Sequence, residues 1–218
     1  MVKGIVTFSF DDGSPGWILA ADVLERFGYR GTFNVTIRNV VKRKMGNILF
    51  PEDRTIHEND LRELQDRGHE IGSHGLRHIH LKDCNETEIH HELKTSKEIL
   101  ESLGLRVSTF TCPFSSWSDR VKSEALRHYG SMRYGLGFNR MPFDGRLYKS
   151  VLGSDDMKAA IDRAVAKNLW SVLLFHNVKK GSTDQFSHDL TSFTSILNYA
   201  HSKGVQVRTV KDVIEAGT

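Results

Sequence analysis

Residues 4–37 read GIVTFSFDDGSPGWILAADVLERFGYRGTFNVTI, and the fold is decided in this stretch. Gly4 to Phe10 is an apolar, β-branched and aromatic run that reads as a strand. From Trp17 to Phe27, Ile18, Ala21, Leu24 and Phe27 fall on one helical face. Gly28 stands where a helix C-terminal glycine would. Gly31 to Ile37 reads as a second strand. Strand, helix and strand in direct succession is the unit of a parallel sheet wrapped by helices.

The alternation continues outward. His57 to Arg67 is a helix stopped by Gly68, and Glu70 and Ile71 begin a short third strand. Asn85 to Leu103 is a long helix carrying Ile89, Leu93, Ile99 and Leu103. Val107 to Thr111 is a strand, Asp119 to Tyr129 a helix, and strands follow near 132–138 and 147–152. A helix runs from Met157 to about Ala166. Leu169 to Phe175 (LWSVLLF) is the most apolar strand. A helix from about Asp189 to Lys203 ends at Gly204, and Val205 to Val210 is the last strand. Seven or eight strands without a long linker predict one closed α/β barrel over residues 1–218. Residues 39–56 lack periodicity and read as an inserted loop or hairpin.

The bulk composition excludes several function classes. Of 218 residues, 39% are apolar and 26% charged, which is ordinary for a globular chain. The net charge of +3 is mild, and the densest basic cluster is Arg38, Lys42, Arg43 and Lys44. That cluster reads as a solvated loop, so no nucleic-acid partner is expected. No run approaches the roughly 18 apolar residues of a membrane span. Met1 leads almost at once into the first strand, without a signal peptide, so the chain reads as cytoplasmic or as an already trimmed domain. Cys84 and Cys112 read as two separate thiols. Eleven histidines are the more informative count, because imidazole binds metals and carries protons near neutral pH.

Three places carry chemistry. Asp11-Asp12-Gly13 closes the first strand, and two adjacent carboxylates there are unfavourable without a nearby cation. At a strand end the chain bends, so both can reach one site; taken alone, Asp-Asp-Gly is also an ordinary turn. His74 and His78 follow the third strand, four apart, a spacing that on a helical turn puts both imidazoles on one face. His80 points elsewhere, and the doublet His90-His91 reads as a solvated helix face. His176 follows the apolar strand ending at Phe175. In a parallel barrel all three places meet at the C-terminal mouth. One carboxylate and two imidazoles make a facial metal site suited to Zn²⁺, Fe²⁺, Co²⁺ or Ni²⁺. The spare carboxylate can serve as base toward an activated water and His176 as acid toward a leaving amine, a set suited to amide or ester hydrolysis.

With these residues in place, the sequence resembles the NodB-homology polysaccharide deacetylases, carbohydrate esterase family 4, over nearly its whole length. Thr7-Phe8-Ser9-Phe10-Asp11-Asp12-Gly13 is similar to the family's first motif, T-F-D-D-G. Gly68-His69-Glu70-Ile71-Gly72-Ser73-His74 through His78 resembles the second, G-H-E-I-G-N/S-H-T-x-x-H. Arg30 to Val35 resembles the usual second strand. Phe110-Thr111-Cys112-Pro113-Phe114 occupies the third motif, and Leu173-Leu174-Phe175-His176 resembles the fifth. The resemblance implies a distorted (β/α)₇ barrel and a zinc-type divalent cation held by Asp12, His74 and His78. It implies Asp11 as general base and His176 as general acid. The backbone N–H of Phe114 would help hold the oxyanion, and Pro113 and Leu174 would line a pocket for the acetyl methyl. The implied partner is an N-acetylated carbohydrate.

Two departures stand out. The family's third motif begins with an arginine that pairs with the catalytic aspartate, and Thr111 stands in its place. Arg77, Arg133 and Arg140 are candidate substitutes. The fourth motif, an Asp-Trp pair, has no clear match; Asp155 and Asp156 lie in the region without a following tryptophan. Trp117 reads either as a sugar-stacking face or as a loop aromatic. The departures leave open a barrel that binds metal and sugar without turnover; the absence of a signal peptide leaves open a deacetylase of a small amide or peptidoglycan precursor.

Overall fold

The structure is a computed structural model that describes residues 4–41, 55–151, 156–184 and 187–217. Its elements run β1 (Ile5–Asp12), α1 (Gly16–Arg26), β2 (Thr32–Val35), β3 (Val40–Val41), β4 (Ile56–His57), α2 (Glu58–Asp66) and β5 (Glu70–Ser73). Then come α3 (Glu86–Ser102), β6 (Thr109–Thr111), α4 (Asp119–His128), β7 (Ser131–Leu136), β8 (Asn139–Arg140), β9 (Leu147–Ser150), α5 (Met157–Lys167) and β10 (Leu169–Phe175). The last are β11 (Asn177–Lys179), β12 (Ser187–Asp189), α6 (Leu190–Ser202), β13 (Gln206–Val207) and α7 (Val210–Gly217).

Seven parallel strands stand side by side in the order β10, β1, β2, β5, β6, β7, β9. A parallel bridge between Val151 and Leu173 joins the two ends. It is made by Val151 N–H donating to the Val172 carbonyl at 2.8 Å and Leu174 N–H to the Val151 carbonyl at 3.0 Å. The expected distorted seven-stranded barrel is therefore present. The antiparallel β8 covers the lower part of β10, beside that closure.

Alternation along each strand sorts the residues into two layers. Val6, Phe8 and Phe10 point outward, where Phe8 and Phe10 stack against Phe175 and Phe10 lies 4.7 Å from Phe33. Ile5, Thr7, Ser9 and Asp11 point into the barrel. The interior is layered. Its floor is apolar, built from Ile5, Tyr148, Trp170 and Val172 and covered by Val210 and Val213 of α7. Above it lies a polar belt. There Glu70, buried, accepts hydrogen bonds from the hydroxyls of Thr32 and Thr109 and, at 2.9 Å, from Lys211 N–H at the start of α7. A carboxylate at a helix N-terminus is well placed against the exposed amides there.

The closing helix is a departure from the sequence expectation, which ran one strand through Val210. Only Gln206 and Val207 pair as a strand. Thr209 and Asp212 then cap α7 reciprocally, Asp212 N–H donating to Thr209 Oγ1 at 3.2 Å and Thr209 N–H to Asp212 Oδ2 at 3.3 Å. Thr-x-x-Asp is a helix-start signal hidden inside an apolar run. Of residues 39–56, the short parallel pair of β3 and β4 is described. Lys42, Arg43, Lys44 and Asp155 lie outside the described residues.

Candidate active site

The inward faces of neighbouring strands converge on one mouth. Asp11 is register partner of Asn34, and Thr111 of Arg133. Asn34 is the partner of Gly72, whose missing side chain leaves the Asn34 amide its space: a Cβ there would lie 2.3 Å from Asn34 Oδ1. Asn34 donates from Nδ2 to Asp11 Oδ1 and to Ser9 Oγ, both at 3.0 Å. An amide at the centre of the strand run GTFNVTI, between Phe33 and Val35, was the available sequence signal for this residue, which sequence reasoning missed.

The question left by Thr111 has a spatial answer. The Arg133 guanidinium ion-pairs with Asp11 Oδ2 and also donates to Ser9 Oγ at 3.3 Å. Both partners are almost fully buried. Arg133 sits on β7, beside Thr111 on the same inward face, so its charge reaches the aspartate from the adjacent strand. The other two candidates are engaged elsewhere. Arg77 pairs with Glu92, and Arg140 on β8 pairs with Leu169 at the opposite end of β10.

Asp12 ends β1 with a φ of 82°, and this turn swings its carboxylate toward the mouth that Asp11 faces. Thr36 N–H and Asn39 Nδ2 hold the Asp12 carbonyl at 3.0 and 2.9 Å. His74 and His78 do not lie on a helical turn, as their spacing suggests. Residues 74–80 form an irregular loop in which Gly75 (φ 85°) and His78 (φ 57°) turn the chain until the rings are 4.9 Å apart. Glu92 of α3 pins this loop, accepting from the N–H groups of Leu76 and Arg77 at 3.1 and 3.0 Å. It is a positioning residue without a sequence signal. Four of the five non-glycine residues with positive φ among the described residues are Asp12, His78, Phe114 and Ser115. Strain concentrated at one place marks a site that the surrounding fold over-determines.

Asp12, His74 and His78 bring their ligand atoms within 4.8 Å of one another. Asp12 Oδ1 lies 3.5 Å from His74 Nε2 and 3.1 Å from His78 Nε2. His74 Nδ1 faces the Thr111 carbonyl at 2.8 Å, an acceptor that requires the proton on Nδ1 and leaves the Nε2 lone pair turned to the cluster. Asp11 Oδ2 is 3.9 Å from the same Nε2.

Burial works to raise the Asp11 carboxyl, but Arg133, then His74 and His176, outweigh it and hold it below the usual carboxylate range. For Asp12, burial is again outweighed, here by His78, His74 and His176. Burial pushes the His74 imidazole down, toward the neutral form a metal ligand needs.

His176 follows β10, and its carbonyl accepts from the buried indole Nε1 of Trp17 at 2.8 Å. It is close enough to act on both aspartates. Leu174 is register partner of Ser9 and shares its inward face. Pro113 is buried, near Gly75. Phe114 has a φ of 56° and an exposed ring that stacks on His80 at 4.2 Å and meets His78 edge-on at 4.4 Å. Trp117 is partly exposed, but Lys122 Nζ lies 3.6 Å over one ring face and Tyr134 packs at its edge. Asp156 is the N-cap of α5, accepting from Lys158 and Ala159 N–H, and so takes no part in the mouth.

Residues 1–131 match the polysaccharide deacetylase family, and the chain belongs to it. Among particular relatives, it is 31% identical over 125 residues to a chitin deacetylase of Arthroderma benhamiae. That alignment covers 55% of this chain and 30% of the relative, so the chain spans under a third of the relative's length. In fold it is similar to the Xyl-CE4 domain of a multidomain xylanase from the hindgut metagenome of Trinervitermes trinervoides. There the TM-score is 0.67 at 17% identity, over 98% of this chain and 91% of that one. It is similar also to a CE4 family pseudoenzyme from Bacillus anthracis, with TM-score 0.65 and 15% identity over 98% and 66% of the two chains. Among the described residues no helix is long and apolar enough to cross a membrane.

Proposed function

We propose that residues 1–218 form one polysaccharide deacetylase domain, and that it is a metal-dependent hydrolase releasing acetate from an N-acetylated sugar. One juxtaposition carries this reading: the Asp12, His74 and His78 cluster stands beside a buried Asp11 kept as an anion.

The residues fit a cation. Asp12 Oδ1 is buried with no well-aligned hydrogen-bond donor, while two imidazole nitrogens close on it. Two imidazoles and a carboxylate suit Zn²⁺ best, and accommodate Co²⁺, Ni²⁺ or Fe²⁺. Such a cation supplies Lewis-acid polarisation of an acyl oxygen and an acidified water.

The chain's own groups do the rest. Asp11, fixed by Arg133 and Asn34, accepts the proton of the attacking water at its carboxylate. His176 gives a proton to the departing amine. The Phe114 N–H would serve the developing oxyanion, and Pro113 and Leu174 would offer apolar surface to the acetyl methyl. Trp117 offers a sugar at most the ring face that Lys122 leaves open. The name of the Arthroderma relative supports an N-acetylglucosamine polymer as the substrate class.

The test is acetate release from N-acetylglucosamine oligomers and acetylated xylan by Zn²⁺-loaded protein, with Asp11→Asn as control. Release that falls about 10²–10⁴-fold in the control supports the reading. No release from any acetylated sugar leaves a binding barrel without turnover.

A further inference from the structure

A second set of metal-type ligands lies outside the mouth, on the outer helices. Glu124 and His128 stand one turn apart on α4, and His90 faces them from α3. Glu124 Oε1 lies 2.7 Å from His90 Nδ1 and 2.8 Å from His128 Nε2. The two imidazole rings are 5.3 Å apart. The ligand atoms of all three residues fall within 4.8 Å of one another. None of them touches the Asp12 cluster.

We propose that His90, Glu124 and His128 form a second divalent-cation site, of Zn²⁺ type, that ties α3 to α4. The donor set is two imidazoles and one carboxylate, the same chemistry as many zinc sites. Arg127 Nη1 holds the other oxygen, Glu124 Oε2, at 2.9 Å, which turns Oε1 toward the imidazoles. Zinc bonds of about 2.1 Å in tetrahedral geometry set neighbouring ligand atoms roughly 3.4 Å apart. The two spacings to Glu124 Oε1, 2.7 and 2.8 Å, are shorter by roughly 0.6–0.7 Å, so the imidazoles must swing outward. The His90 side chain, 51% exposed, is free to do so. A groove of about 600 Å³ borders the cluster, lined by Glu86, His90, Asp119, Ser123 and Glu124 among others, and gives room for a fourth ligand such as water. Its three carboxylates, Glu86, Asp119 and Glu124, are largely offset by Arg120 and Arg127, so attraction of a cation rests mainly on the ligand set.

The site would act on the mouth at a distance. The segment carrying Pro113, Phe114 and Trp117 runs straight into α4, whose N-cap Ser118 accepts from Val121 N–H at 3.3 Å. Fixing α4 to α3 fixes the downstream anchor of that segment.

The experiment is Zn²⁺ binding by equilibrium dialysis and elemental analysis, independent of any turnover. Protein carrying Asp12→Ala, His74→Ala and His78→Ala should hold one Zn²⁺ per chain. Adding His90→Ala and His128→Ala to it should leave none. Should the first variant fail to fold, the native chain should hold two Zn²⁺, and His90→Ala with His128→Ala one. A parallel reading is the melting temperature in Zn²⁺, whose rise should shrink in His90→Ala. The proposal is overturned if the mouth-depleted protein holds no Zn²⁺, or if removing His90 and His128 leaves the count of bound ions unchanged.

Discussion

The Arg133 guanidinium meets the Asp11 carboxylate inside the barrel from the strand next to the one bearing Thr111, and both groups are almost fully buried. Removing one member of such a pair leaves an uncompensated buried charge, so Arg133→Ala should cost about 3–5 kcal/mol of stability in denaturant unfolding. The acid limb of the pH–rate profile tests its electrostatic role. Arg133 lowers the Asp11 pKa, so its loss raises that pKa, and the acid limb should move to higher pH. An unmoved limb would separate Arg133 from the ionisation of Asp11. Because positions 111 and 133 are register partners on one face, Thr111→Arg combined with Arg133→Thr should recover part of the activity.

Gly72 predicts a second effect at the same carboxylate. An added methyl would meet Asn34 Oδ1 at 2.3 Å and the Thr109 carbonyl at 3.2 Å. Gly72→Ala should therefore displace the amide that holds Asp11 and cost about 1–3 kcal/mol, as overpacking does. The expected signature is a fall in kcat larger than any change in KM.

For the mouth ligands, His78→Ala or Asp12→Ala should lower Zn²⁺ affinity at the first site by at least about 10²-fold, measured with a competing chelator. Thr111 acts through its backbone carbonyl on His74, so Thr111→Val should leave that affinity almost unchanged. A large loss in the valine variant would assign the side chain a role that its hydrogen bonding does not suggest.

His69 sets a pH dependence of stability. Burial pushes its imidazole down to about 4, against the attraction of Glu25. Its Nδ1 accepts from Gly31 N–H at 3.0 Å and its Nε2 faces Glu25 Oε1 at 3.0 Å, a neutral arrangement. The unfolded chain takes up this proton near pH 6.5 and the folded one only near 4. Between those values the unfolded state binds more protons, so stability falls as pH drops, by up to about 2–3 kcal/mol. Thermal melts from pH 7 to 4.5 should show the loss, and His69→Asn should flatten it.

The barrel was legible because β1, α1 and β2 follow one another with unbroken periodicity, and β10 is too apolar to lie anywhere but in a core. The aspartate pair and the three histidines were legible because each stands at or just beyond the C-terminal end of a strand. What spacing misjudged was the path between His74 and His78: four residues suggest a helical turn, whereas a glycine and a left-handed His78 bring the rings together. Arg133 stood among three candidates that only strand register could separate. Glu92 looks like any helix-surface acid until α3 is packed against the loop. His90 was read as solvated because its partners lie on another helix. The capping pair Thr209 and Asp212 was concealed by the apolar residues around it.

The floor of the barrel has a consequence for how the chain reaches this structure. Glu70 opens the strand that delivers His74, yet one of its hydrogen bonds comes from Lys211, 141 positions later. Ile5 and Trp170 likewise wait for Val210 and Val213 to shield them from water. A nascent chain that has emerged only as far as β10 can close the ring of strands but not seal its base. Contacts so remote in sequence make folding slow and leave little room for stable halves. The groups at the mouth would then acquire their geometry late in synthesis, when a helix at the opposite end has docked.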